Sequence, residues 1–415
     1  MTTRLLVVDQ PGERWIAREV DGTITDLLVE RGAPDPTGAV VRARVTRVDA
    51  DLGASFVSLG PLGDGFLNGI SHPEGSAVVV QVVRGRARGK AVAVSARPER
   101  PGRLLVAQPA SPGLQASRKL SEAERKRLRA LLAPHVQEGE GWMLRSAAAG
   151  AGEADLVADL TRLRAATAAW SAIGPAPMVL SPPPDALDRV SEGGEAVVVN
   201  HPPLRPQLAA RGYSVTLDAG VEHQVEGAIE AALQPVIPLP GGALMRLEPT
   251  AALVAVDVDR AGASDSADAI NARVIPCLFA ALRLRRLGGL VLVDLMRQSD
   301  PPSWLTTAQS LARAAGGQCH GLTRTGLLEL TLPQPGASLA EDLSGLEAVL
   351  SAAVRAWARR VAVPPHRATL VVAQVLVPLL TQRLPAVAAR YGIAPTWSSL
   401  PPTPANGALW QVVEE

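Results

Sequence analysis

Two apolar runs in this chain end in aspartate: "LVAVDVD" at 253–259 and "GLVLVD" at 289–294. Each run reads as a buried strand, yet burying an unpaired carboxylate is strongly unfavourable. The fold must therefore bring these strand ends to water, to a cation or to a partner. Residues two apart in a strand share a face and lie about 6.6 Å apart along it, so Asp257 and Asp259 point the same way. If the two runs are neighbours in one sheet, Asp257 and Asp294 meet at C-terminal strand ends, where open α/β sheets bind ligands. A few hard oxygen donors that leave room for water and phosphate suit Mg²⁺. The plainer alternative is that each Asp only ends its strand and caps a turn or the next helix.

The surroundings of these runs read as α/β. A helix "VEHQVEGAIEAAL" precedes the strands "GALMRLEP" and "LVAVDVD". A long helix over roughly 267–287 leads through "GG" into "LVLVDLM", with Pro276 predicting a kink or break. The helix "WLTTAQSLARAAG" and the strand "LLELTL" complete the unit.

At 415 residues, the chain is long enough for roughly two to four domains. Hydrophobic residues are 47% and aromatics 3%, so the cores must be built from Leu, Val and Ala. A net charge of +1 excludes a global polyanion-binding signature and leaves only local patches. Cys277 and Cys319, the two cysteines, cannot make a disulfide framework or a four-thiolate zinc site, which fits a reducing compartment. No run resembles a signal-peptide core or a membrane span, so the expected location is the cytoplasm. The six histidines are scattered without ligand spacing, and His320 reads as a loop residue.

Elsewhere the pattern changes along the chain. Residues 1–36 read as three short strands with a hairpin turn at "DG", 21–22. Residues 37–96 read as a small barrel of short strands and Gly-rich turns. Residues 97–115 read as a Pro/Gly-rich linker, and "SEAE" at 121–124 as a capping box opening a helix. A strand "GWMLRSA" and a helix from about 153 follow. The stretch 174–215 has no clear period. Residues 340–415 read as a small α/β appendix.

The segment 84–103 holds seven basic residues and one acid, and Phe56 and Phe66 lie in the barrel just before it. Small barrels bind single strands by stacking bases on exposed aromatics beside a basic groove. Taken alone, these residues read slightly better as two core phenylalanines and a solvated arginine face.

Together these pieces resemble the bacterial ribonuclease E/G family over nearly the whole chain, mainly in motif order. "RVTRVDADLGASFVSLGPLGDGFL" is similar to its S1 RNA-binding barrel, and "GWMLRSAAAG" to its 5′-sensor motif. "AALVAVDVD" and "LRLRRLGGLVLVDL" are similar to its catalytic strands, and "RTGLLEL" to a further segment. The resemblance implies an α+β multidomain fold. An S1/OB-type barrel (37–96) would be inserted into an RNase H-like region (1–36 and 174–221). A 5′-sensor-like region (97–173), a DNase I-like catalytic domain (222–335) and a small C-terminal domain (340–415) would complete it. It implies Mg²⁺-dependent endonucleolytic cleavage of single-stranded RNA to 5′-phosphate and 3′-hydroxyl products. Asp257 and Asp294 would hold the metal, and Asp259 would orient water or ligate. Phe56, Phe66, Lys90, Arg118 and Lys119 would hold RNA, and Arg145, Ser146 and Arg324 the 5′-phosphate.

Several positions depart from the family pattern. Asp259 stands where Asn is usual, Arg286 replaces an acid, and Leu59 replaces a barrel Tyr. "LMRQ" at 295–298 replaces a run that usually holds another Asp, and Ser146 replaces the Thr of the sensor pair. "PQPGASLAED" follows "LLELTL" without the zinc-binding Cys pair, so any homodimer is expected not to be zinc-linked. The long ribonuclease E tail is missing, which points to a divergent ribonuclease G type. These departures leave a rival reading, a catalytically weak or inactive RNA-binding relative.

Overall fold

The computed structural model describes residues 2–10, 12–31, 35–69, 72–85, 92–191, 194–297, 303–334, 336–361, 368–391, 395–400 and 409–414. The chain divides into two compact units, residues 1–33 with 186–415, and residues 34–185.

The first unit opens with an antiparallel meander of β1 (Thr3–Gln10), β2 (Glu13–Val20) and β3 (Thr23–Glu30). Asp21 and Gly22 in the β2–β3 turn both have positive φ, 47° and 82°, as a twist-matched two-residue hairpin requires.

In the second unit come β4 (Val40–Asp49), β5 (Ala54–Ser58), β6 (Asp64–Asn68), β7 (Ala77–Arg84) and β8 (Val92–Ser95). The pairings β4–β5, β5–β6, β6–β8, β8–β7 and β7–β4 close a five-stranded ring. Closure removes free edges. Alternate residues such as Val41, Ala43, Val45, Val57, Val80 and Val92 fill the interior, together with Leu59 and Leu67. A Cβ at Gly65 would lie 3.1 Å from Leu59, Val57 and Val94, so glycine keeps this corner tight.

The expected linker at 97–115 is instead part of a sheet. It supplies β9 (Arg100–Pro101), β10 (Leu105–Ala107) and β11 (Gly113–Ala116). With α1 (Glu122–Leu132), β12 (Gly141–Leu144) and α2 (Glu153–Thr167), these form a layer of strand order β11-β12-β10-β9. Its core contains Leu105, Leu128, Leu132, Trp142, Leu144, Leu156 and Leu160. The Pro/Gly composition hid a short apolar run, Leu104–Ala107, that is fully or nearly buried. Ser121 caps α1 by accepting from the Glu124 amide at 3.2 Å. The reciprocal half of the expected capping box is missing, because the Glu124 carboxylate pairs with Arg127 and the Gly150 amide. β13 (Met178–Ser181) extends the edge of β4 beyond β5.

The chain then returns to the first unit with α3 (Ala186–Val190), β14 (Ala196–Val199), α4 (Leu204–Ala210), β15 (Val215–Leu217) and α5 (Val221–Leu233). β14 runs parallel to β1 and completes the order β15-β14-β1-β2-β3. The patternless stretch is therefore short elements whose partners lie far away in sequence.

Next come β16 (Val236–Pro238), β17 (Leu244–Pro249), β18 (Leu253–Asp259), α6 (Ala267–Arg285), β19 (Gly289–Asp294), α7 (Trp304–Ala314), β20 (Gln318–Leu322) and β21 (Leu328–Leu332). The strands form one sheet, β16-β17-β18-β19-β21-β20. Helices α6 and α7 cover one of its faces, with Ile270, Val274, Leu278, Trp304 and Ala308 against Met245, Val254, Val256, Val291, Val293 and Leu330. The other face is half-exposed. Helix α6 is one continuous element through Pro276, so the expected break is not present. His320 lies in β20 rather than in a loop, and its Nε2 is 3.0 Å from Thr331 Oγ1.

The unit ends with α8 (Leu339–Asp342), α9 (Gly345–Val361), β22 (Ala368–Ala373), α10 (Val377–Tyr391), β23 (Thr396–Leu400) and β24 (Trp410–Glu414). The last three strands pair as β23-β22-β24 over a core of their own. Among the described residues, no helix is long and apolar enough to cross a membrane.

Candidate active site and nucleic-acid interface

β18 and β19 run parallel, with Leu253, Ala255 and Asp257 paired to Leu290, Leu292 and Asp294. In-register residues on adjacent parallel strands project to the same face, about 4.8 Å apart between strands. The two carboxylates therefore stand side by side at the C-terminal strand tips. Their face is the one that α6 and α7 do not cover. Both are exposed, and neither takes a hydrogen bond or ion pair from a described residue. The cross-strand neighbour of Asp257 is Arg246 on β17, but Arg246 reaches Glu248 instead, at 3.9 Å.

Asp259, two residues on, shares the face but is differently engaged. Its Oδ1 accepts from the Ala261 amide at 2.8 Å, shaping a turn in which Ala261 takes a positive φ of 44°. Arg273 Nη2 binds Asp265 Oδ2 and Arg260 Nη1 binds the Asp265 carbonyl, each at 2.5 Å, which braces the loop beyond. Among the described residues, no group of three or more His, Cys, Asp or Glu side chains is arranged to hold a metal ion. Two carboxylates on a wet face still fit a cation that keeps several waters, as Mg²⁺ does.

Asn271 on α6 was not singled out from the sequence. It is fully buried, its Nδ2 donates to the Met296 carbonyl at 2.8 Å, and its Oδ1 accepts from the Met296 amide at 3.0 Å. It thereby ties down the backbone two residues past Asp294. A lone amide within an apolar helix was the available signal.

The carboxylates close one end of an open cleft of about 300 Å³. Its floor includes Leu253, Ala255, Leu292 and Leu327, and Arg246 and Glu248 stand at its rim. Arg324 is exposed in the β20–β21 turn, three residues before Leu327.

On the barrel, Phe56 and Phe66 are opposite each other on β5 and β6. Neither is in the core; both are half-exposed, which corrects the core-packing reading. Strand alternation gives the interior to their neighbours Val57 and Leu67, both buried. The rings meet edge to face with centroids 5.7 Å apart. Arg47, not singled out from the sequence, holds its guanidinium carbon 4.1 Å from the Phe56 centroid, within cation–π range. Lys90 lies outside the described residues.

In the β9–β12 layer, β11 runs parallel to β12 with Ala116 opposite Leu144. Arg118 and Lys119 follow the first strand tip and Arg145 and Ser146 the second, so all four leave one end of a strand pair. Arg118, Lys119 and Ser146 are exposed and Arg145 is half-buried. Arg145 Nη1 donates to the Gly102 carbonyl. The loop carrying Gly102 is shaped by Asp159, whose buried carboxylate accepts from the Leu104 and Leu105 amides at 2.8 and 3.0 Å and from Arg162 at 2.5 Å. Burial opposes ionisation of Asp159, but these hydrogen bonds outweigh it and lower its pKa. Arg145 and Ser146 belong to one compact unit and Arg324 to the other.

The chain thus carries a sheet with two exposed acidic strand tips and a closed barrel with outward aromatics. Residues 100–190 and 209–333 match the model of the Ribonuclease E/G family, and the chain belongs to that family. It is 26% identical over 392 residues to "Ribonuclease G" of Escherichia coli (strain K12), covering 80% of each chain. It is 27% identical over 401 residues to "Ribonuclease E" of the same strain, covering 82% of this chain and 37% of that one. "Ribonuclease E" of Synechocystis sp. is 26% identical over 377 residues, covering 77% and 55%.

Proposed function

We propose that the chain is an endoribonuclease that hydrolyses single-stranded RNA at the β18–β19 strand tips. The observation that carries this reading is the Asp257–Asp294 register, which sets side by side two exposed carboxylates that have no partner among the described residues. They would hold Mg²⁺, which when bound lowers the pKa of water and offsets charge on the scissile phosphate. In the hydrolysis, water oxygen bonds to phosphorus, the P–O3′ bond breaks, and the 3′ oxygen leaves as a hydroxyl while the phosphate stays on the 5′ end. Asp259 has one carboxylate oxygen committed to its turn and the other free to orient that water.

The remaining residues bind and orient. Phe56 and Phe66 would stack bases, with Arg47 supplying positive charge beside them. Arg145 and Ser146 would donate to a 5′-phosphate, and Arg118 and Lys119 to the backbone near it; Arg324, on the other unit, would donate to RNA phosphate there. The N-terminal strands with β14 and β15 would be the RNase H-like part, and the β16–β21 sheet the DNase I-like catalytic part. Any homodimer would form without zinc, and the protein would act in the cytoplasm.

The test uses 5′-monophosphorylated single-stranded RNA with and without Mg²⁺, comparing the wild type with Asp257→Asn and Asp294→Asn. Mg²⁺-dependent cuts that either substitution abolishes, with folding intact, support the reading. The two-carboxylate donor set favours one alternative, an RNA-binding relative with little or no cleavage; binding without cuts by the wild type would select it.

A further inference from the structure

The open face next to the carboxylates has features that metal binding does not require. On the N-terminal side of Asp257 and Asp294, the same face carries Ala255 and Leu253 on β18 and Leu292 on β19, all half-exposed. With Leu327 they make an apolar floor directly beside the acidic tips. The cleft of about 300 Å³ lies at the lower end of the range for small-molecule sites, roughly 300–1,000 Å³. An apolar recess of this size suits a single nucleobase.

The rim is polar and ready to be reorganised. Arg246 and Glu248 stand on β17 beside this floor, opposite Asp257 and Ala255. Their side chains are 51% and 59% exposed and meet only at 3.9 Å. That separation is too long for a hydrogen bond, so each keeps its donors or acceptors for a ligand. One group only donates and the other only accepts when ionised.

We infer that this cleft is a nucleobase subsite that selects guanine at a nucleotide flanking the scissile phosphate. The inference rests on the reading of Asp257 and Asp294 as the catalytic pair. The apolar floor takes the base face. The Glu248 carboxylate accepts from the adjacent N1–H and N2–H of guanine, and Arg246 donates to its O6 and N7. Guanine is the base that offers two adjacent donors and two adjacent acceptors on neighbouring edges, and arginine to O6/N7 is its commonest specific contact. Arg246 and Glu248 are thus specificity-determining residues; the chemistry stays with the carboxylates.

The experiment uses 5′-monophosphorylated RNAs of one length with a single cut site, varied through all four bases at the nucleotides on each side of it. kcat/KM is measured for the wild type, Glu248→Gln, Arg246→Met and Asp257→Asn, each checked for native thermal unfolding. The wild type is expected to favour guanine at one flanking position by about tenfold. Each rim variant should shrink that guanine-to-other ratio towards one, mainly through KM. The ratio is the readout because removing the Glu248 charge also strengthens attraction for all RNA equally. Binding of the same RNAs in EDTA, read by fluorescence anisotropy, should show the same loss of guanine advantage and does not depend on cutting. Equal changes across all four bases, or no wild-type base preference in cutting and in binding, overturn the subsite. Undiminished cutting by Asp257→Asn overturns the catalytic reading instead, and the binding ratio still decides the subsite.

Discussion

Carboxylates are used in opposite ways in the β9–β12 layer and on the open face of the β16–β21 sheet. In the first, Asp159 is buried and gathers three backbone amides and an arginine. Glu140 likewise accepts from Arg164, the Trp142 indole and the Gln137 amide. On the open face, Asp257 and Asp294 stand exposed and take nothing from the described residues. Satisfied acids hold loops in place; on the proposed reading, the unsatisfied ones serve a ligand. Their substitutions should therefore separate, one class acting on stability and the other on chemistry.

The largest effect is expected at the strand tips. Asp257→Asn or Asp294→Asn should lower Mg²⁺-dependent cleavage by about a thousandfold, while thermal unfolding changes by no more than about 0.5 kcal/mol. A large loss of stability there would erase the contrast. Asp159→Ala should do the reverse. Stranding the Leu104 and Leu105 amides is expected to cost about 3 kcal/mol locally, read as faster hydrogen exchange at those two amides, with strand-tip chemistry intact.

Acid should act on the same side of the contrast. Hydrogen bonding from Arg164 holds Glu140 down at about 2 despite partial burial, and Asp159 is also lowered. A depressed carboxylate contributes stability above its unfolded pKa and loses it as pH falls through the folded one. Exchange protection of the β10–β12 amides should therefore hold at pH 5 and weaken progressively from about pH 4 downwards.

Smaller effects test the barrel. Phe56→Ala should weaken binding of single-stranded RNA about tenfold, in line with stacking energies of roughly 1–3 kcal/mol. Arg47→Ala should weaken it less and reduce its dependence on salt, read by anisotropy titrations at several salt concentrations. Asp259→Asn should change cleavage only a few-fold, because an amide oxygen can still accept from the Ala261 amide.

Much of this was legible in the sequence. The apolar runs ending at Asp257 and Asp294 announced two strands, and motif order announced the family. The "DG" turn and the Ser121 cap were readable because their chemistry is local. The reading failed where partners were distant. Residues 97–115 read as a linker because Leu104–Ala107 is too short to show a period, although it pairs with β12 some forty residues on. Phe56 and Phe66 read as core because composition gives no side of a strand; the register with Val57 and Leu67 assigns them outward. Arg47 and Asn271 escaped notice because their partners, the Phe56 ring and the Met296 backbone, become neighbours only after folding.

The amino-acid order alone determined the local grammar of this protein: which runs become strands, where turns demand positive φ, and which residue types stand at strand ends. Only the tertiary structure decided that Asp257 and Asp294 share a register and a face, that the aromatics face outward, and that an apolar cleft adjoins the acids. Strand periodicity depends on neighbouring residues, whereas register and burial depend on which distant strand closes the sheet, and that choice is made by the packing of the whole fold.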